Sequence, residues 1–133
     1  MDTFINAVKL TMAAIGGVLG MFFGNMDGAI TALICFVAVD YITGIMKAIK
    51  NKQLSSEVGF SGIARKIVIF LLVGVGNIID AHLIKNGSTI RTAVIFFYIA
   101  NEGISLLENT TELGLPYPQK LKDVLSQLKD DNE

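Results

Sequence analysis

The sequence predicts an all-α integral membrane fold. Helical hairpins supply four transmembrane helices, or three if the first lies at the interface, and a short C-terminal amphipathic helix follows. Three observations predict this. Residues of the AVILMFWYC set make up 52% of the 133 residues and charged residues 17%, well below the roughly 25% charged of a soluble domain. The charges are also kept out of long stretches: Leu10 to Met46 holds only Asp27 and Asp40, and Ile67 to Asn101 only Asp80, Lys85 and Arg91. Helices that are apolar all round belong in a large core or a bilayer, and a chain of this length cannot build a large core. Period-2 alternation is missing while Ala, Leu, Met and Gly are frequent, which argues against lipid-facing barrel strands.

The apolar blocks fall at about 4–24, 29–49, 67–84 and 90–107, each near the ~20 residues that cross ~30 Å of hydrocarbon. The first block contains the longest uncharged run, the 17 residues from Leu10 to Met26, but it also carries Lys9 and four glycines. This is why an interfacial position stays open for it. Gly16, Gly20 and Gly24 recur at four-residue spacing, a ridge of small residues that lets another helix approach closely, and Gly44 offers the same on the second block. Asp2 and the lack of a small-x-small cleavage site argue against a signal peptide. A start at Met12 would drop Asp2 and Lys9 and give a second isoform with an altered N-terminus.

Asn25-Met26-Asp27-Gly28 and Lys85-Asn86-Gly87-Ser88 are turns short enough only for helical hairpins. The segment between the second and third blocks, 50–66 with its flank, holds Lys47, Lys50, Lys52, Arg65 and Lys66, five of the eleven basic residues, against Glu57 alone. That bias makes it a cytoplasmic loop with a secondary attraction for anionic headgroups. Four spans then leave both termini cytoplasmic, and residues 1–108 form the transmembrane domain. Asn109-Thr110-Thr111 and Leu113 to Pro118 are expected to break the helix and open a cytoplasmic segment, 109–133. Within it, Gln119 to about Leu128 reads as an amphipathic helix with Leu121, Val124, Leu125 and Leu128 on one stripe, and Lys129 to Glu133 as a solvated tail.

A net charge of −1 provides no field for a nucleic-acid backbone. The single Cys35 and the single His82 are too few for a disulfide or a structural zinc site. The sequence has no phosphate loop, HExxH motif or nucleophile elbow, so neither an enzyme nor a cofactor is expected. The informative residues are acids inside apolar blocks: Asp40, Asp80 and Glu102. Facing lipid, the three together would cost on the order of 6–10 kcal/mol.

Their neighbours extend them into polar edges. Asp40, Thr43, Gly44 and Lys47 share one helix face, Asn77 and Asp80 another, and Asn101, Ser105, Glu108 and Asn109 a third beside Glu102. Asp40, Thr43, Asn77, Asp80, Asn101, Glu102 and Ser105 are therefore the candidates to line a pore. The alternative is structural pairing. Lys47 lies ~10.5 Å of helix rise from Asp40, long for a direct bond, whereas Arg65 or Lys66 could reach an acid from a neighbouring helix.

Three runs carry a resemblance: Cys35 to Ala48, with Asp40-Tyr41-Ile42-Thr43-Gly44 at its centre; Leu54 to Lys66; and Asn101 to Asn109 with Gly114-Leu115-Pro116-Tyr117-Pro118. Together they resemble the phage lysis and toxin-secretion holin family over about residues 30–125. The resemblance implies a small multi-pass protein of the bacterial inner membrane that accumulates and assembles into homo-oligomeric lesions. An endolysin, or in clostridial relatives a large toxin, would leave through these without necessarily touching the protein. Asp40, Tyr41, Thr43, Gly44, Lys47, Asn101, Glu102, Ser105 and Asn109 match the family's motif positions. A small ion or proton channel, and a non-conducting membrane partner such as an antiholin, are the rival expectations.

Overall fold

A computed structural model describes all of residues 1–133, and it is helical throughout its ordered elements. The helices are α1 (Asp2–Phe23), α2 (Gly28–Lys50), α3 (Ser56–Ile78), α4 (Thr89–Glu112) and α5 (Gln119–Asn132), and α3 continues as a π-helical turn, Ile79–Ile84. Four of these segments are long and apolar enough to cross a membrane: Asp2–Phe23, Gly28–Lys50, Ser56–Ile84 and Thr89–Glu112.

Local chemistry sets the ends. Asp27 caps α2 by accepting from the Ile30 N–H at 3.0 Å, and Ser55 caps α3 by accepting from the Val58 N–H at 3.1 Å. The Ser55 cap starts the third helix at Ser56 rather than near 67, so Arg65 and Lys66 stand on the helix and the basic loop shrinks to residues 51–55. At the other end of the chain α4 runs to Glu112, past the break expected at Asn109. The Thr110 and Thr111 hydroxyls fold back onto the Leu107 carbonyl at 2.8 and 3.0 Å, which keeps them compatible with the helix. The helix stops at Gly114, whose φ of 86° is left-handed. There the Leu115 N–H reaches the Thr110 carbonyl and the Gly114 N–H that of Thr111, the paired bonds of a Schellman motif. The residues expected as a loose tail continue α5 to Asn132, braced by the Gln127–Asp131 side-chain bond at 2.9 Å.

Ile30, Leu33 and Val37 of α2 meet Ile69 and Val73 of α3 and Ile95 and Ile99 of α4 in the core. Their three- and four-residue spacing is one face of each helix. Only 19 of 133 residues are buried, while Phe4, Leu10, Met12, Met21, Phe60 and Ile67 are among many large apolar side chains left exposed. A surface this apolar calls for lipid, not water, around it. α1 has no buried residue and packs on α3 through its last turn, where the Phe22 ring lies over Gly74. The Gly16–Gly20 ridge meets no other part of the chain.

Candidate functional site: an intramembrane ion triad

The charges inside the spans gather at two levels. In the half nearer the basic residues Lys47 and Lys50, here the basic end, Lys66 of α3 stands between two acids. Its ammonium donates to Asp40 Oδ2 of α2 at 2.8 Å and to Glu102 Oε2 of α4 at 2.7 Å. The three side chains are 16%, 8% and 8% exposed, so the cluster is a largely buried group of two carboxyls around one ammonium.

Asn109 completes its hydrogen bonding. Its side-chain N–H groups donate to Asp40 Oδ1 and to Thr43 Oγ1, both at 3.0 Å, and the same amide nitrogen lies at ordinary contact distance, 3.8 Å, from where a Cβ on Gly44 would stand. The Thr43 hydroxyl in turn donates to the Val39 carbonyl at 2.9 Å. Every buried side-chain polar atom has a partner, as a low-dielectric setting requires.

The triad lines a cavity of about 860 Å³ between α2, α3 and α4. Tyr41, Lys47, Ser61, Arg65, Asn101 and Ser105 also line it. The cavity's wall thus mixes polar and apolar groups, where the bundle's outside is chiefly apolar. Lys50 is turned away, donating to the Glu112 carbonyl at 2.5 Å, and Lys52 is exposed with a positive φ in the short loop.

Asp80 and Asn77 stand apart from the triad, at the far end of the bundle. The π-helical turn aims the Asp80 carboxylate at the start of α4, where it accepts from the N–H groups of Ile90 at 3.0 Å and Arg91 at 2.8 Å. It acts as the cap that Ser88 does not supply. Asn77 donates to the carbonyls of Met21 and Phe22 at 3.1 and 3.0 Å, holding the end of α1.

Arg91 ties the same region together. Its guanidinium donates to the Phe23 carbonyl at 2.6 Å, the Asn25 carbonyl at 2.7 Å and Asp27 Oδ2 at 2.9 Å. The backbone approaches so closely that a Cβ at Gly24, whose φ is 83°, would lie 2.7 Å from Asn77 Oδ1 and 2.9 Å from Arg91 Nε. The Ile30 N–H, and after it the Arg91 guanidinium, holds the Asp27 carboxyl below the ordinary carboxylate range.

Of the residues singled out from sequence, the fold joins Asp40, Thr43 and Glu102 into one cluster with Asn101 and Ser105 on the same cavity wall. It puts Asn77 and Asp80 in another. Lys66, which the sequence presents as a topology determinant able to reach an acid on a neighbouring helix, is the hub. The sequence pattern does not disclose the part played by Arg91 and Asp27. The available signals were an arginine just after a turn, at the head of an apolar block, and an Asp immediately before a helix.

The family model for the bacteriophage holin family matches residues 17–130, nearly the whole chain. The chain belongs to the bacteriophage holin family. A probable holin of Bacillus phage phi105 is 41% identical over 95 residues, covering 71% of this chain and 70% of the relative. An uncharacterised 14.9 kDa protein from the nagH 3′ region of Clostridium perfringens is 40% identical, covering 96% of this chain and 97% of the relative. A protein of Listeria innocua is 42% identical over 89% of this chain and 84% of its own length. No solved structure matches. Four apolar helices and holin membership together make this a multi-pass membrane protein of non-enzymatic type.

Proposed function

We propose that this holin-family chain accumulates in the bacterial inner membrane, self-associates, and opens lesions through which an endolysin, or in some settings a toxin, leaves the cytoplasm, so setting the time of host lysis. In this reading the basic end and the turn that follows α4, from residue 113, face the cytoplasm, as the loop charge bias favours. The observation that carries the proposal is the buried Asp40–Lys66–Glu102 triad on the wall of a cavity inside the bundle. While the three charges are shared within one chain, the protein persists quietly in lipid. Rising surface density favours association by mass action. When α2, α3 and α4 part within an assembly, Asp40, Thr43, Asn101, Glu102 and Ser105, with Asn77 and Asp80 at the far end, supply a hydrophilic lining, and the apolar faces keep the lipid.

The cavity also favours a second reading, a small ion or proton channel. One experiment separates the two: inducing the chain in bacteria with and without a cytoplasmic muralytic enzyme. Abrupt clearing only with the enzyme supports lesions wide enough for a folded protein. Ion leakage without clearing supports the channel. Asp40→Leu and Glu102→Leu are expected to insert normally and to abolish or retime clearing; unchanged timing in both removes the triad from the mechanism.

A further inference from the structure

α2 and α3 both pack on α4 but touch one another little, and the cavity beside the triad is the cleft left between them, floored by α4. Two hydrogen bonds cross it, from the Tyr41 hydroxyl to the Gly59 carbonyl at 3.2 Å and from Lys66 to Asp40 at 2.8 Å. Six charged side chains line it: Asp40, Glu57 and Glu102 against Lys47, Arg65 and Lys66. The triad accounts for three of them. Lys47, half-buried, and Arg65 and Glu57, both exposed, take part in none of the chain's ion pairs.

A charge without a partner at the edge of hydrocarbon turns to water or to a headgroup, and depth favours the headgroup. Hydrocarbon takes up about 20 helical residues. Counted from the far ends of the spans, Gly28 and Ile84, that length reaches Lys47 on α2 and Arg65 on α3. Both cations therefore stand where hydrocarbon gives way to lipid phosphates. Glu57 and Ser61 share the Arg65 face of α3 at four-residue steps, which puts Glu57 ~12 Å of rise farther out, on the water side of the cations. Val58 and Val68, exposed on the border of the same cleft, offer an acyl chain an apolar path.

We propose that this cleft seats the headgroup of one phosphatidylethanolamine, with Lys47 and Arg65 on its phosphodiester and Glu57 on its ammonium. The balance of signs selects that headgroup. The wall holds as many acids as bases, so a purely anionic headgroup gains no net field there. A headgroup with both charges finds the cations at phosphate depth and the carboxylate beyond them. A trimethylammonium group has no N–H to donate to Glu57, which ranks a choline lipid below an ethanolamine one. The seat is a property of the single chain and does not depend on lesion formation.

The test uses the full chain in mild detergent micelles with phosphatidylethanolamine, phosphatidylglycerol and phosphatidylcholine of identical acyl chains, and native mass spectrometry to count bound lipids. One phosphatidylethanolamine per chain is expected, held about tenfold more tightly than either competitor, the worth of one charge-assisted hydrogen bond. Lys47→Gln with Arg65→Gln is expected to lose that preference, and the swap Lys47→Arg with Arg65→Lys, which keeps both charges, to preserve it. Glu57→Gln is expected to bring phosphatidylglycerol level with phosphatidylethanolamine. Lys50→Gln with Lys52→Gln, neither of which lines the cavity, is expected to change nothing, which separates a seat from the general pull of the basic end. Equal retention of the three lipids, a preference unmoved by Glu57→Gln, or a loss as large at Lys50 and Lys52 as at Lys47 and Arg65 overturns the proposal. Displacement of the lipid by an equal concentration of water-soluble glycerophosphoethanolamine identifies a free phosphate ester as the occupant and overturns the lipid.

Discussion

Replacing Lys66 by Met removes the one cation of the triad while keeping most of its apolar stem. Asp40 Oδ2 and Glu102 Oε2 lie 2.8 and 2.7 Å from the same nitrogen. The two carboxyls are therefore at most ~5.5 Å apart, and while both are ionised their mutual repulsion at an effective dielectric of about 20 is ~3 kcal/mol. Each also loses a charge-assisted hydrogen bond, although Asp40 keeps the Asn109 amide at 3.0 Å. Breaking a buried pair by deleting one partner costs about 3–5 kcal/mol, because the other charge is left without compensation. A loss of ~4 kcal/mol in Lys66→Met corresponds to a roughly thousandfold shift in the folding equilibrium. Denaturant unfolding in mild detergent micelles, followed by helicity, measures it. Neutralising the whole cluster, with Asp40→Asn and Glu102→Gln added to Lys66→Met, is expected to recover most of the loss. A single variant within ~0.5 kcal/mol of the parent, or a triple variant no better than the single one, would refute the view that the three charges act as one unit.

Other predictions concern the far end. Asp80→Ala strips the acceptor from the Ile90 and Arg91 N–H groups. It should cost ~1–3 kcal/mol, with hydrogen exchange quickened at those two amides and unchanged near the triad, about 16 Å of helix rise away. Arg91→Lys keeps the charge but not the fork that reaches Phe23, Asn25 and Asp27 together. A loss of about 3 kcal/mol in the same micelle unfolding assay is expected, at ~1.5–3 kcal/mol for each charged hydrogen bond removed. Because the Asp27 carboxyl is held below its ordinary value of 3.8, its contribution is complete above that pH and is lost as pH falls through the depressed value. The protection factor of the Ile30 amide should therefore fall in that acid range and lose this pH dependence in Asp27→Asn. Equal acid sensitivity in both chains would detach Asp27 from the helix start.

The sequence by itself determined the class of the fold and the solvent it requires. Apolar blocks of spanning length, acids isolated within them and a basic segment between the second and third are one-dimensional signals, since they are read from the order of residues along the chain without knowing which neighbour each charge meets. Caps and turns were less legible. Ser55 extends α3 back over residues expected to be loop, and Thr110 and Thr111 continue α4 because their hydroxyls turn onto Leu107. Such side chains serve helices and turns alike until the local geometry is known.

Tertiary structure alone decided the partners. Periodicity put Asp40 on one helix face and Glu102 on another. That Lys66 reaches both, while Asp80 turns to the N-terminus of α4, depends on how three helices rotate and offset against one another. No spacing within a single helix encodes that rotation. It is set by the fit of Ile30, Leu33, Val73 and Ile95 in the core, where packing is non-directional and only the assembled fold shows which charges meet.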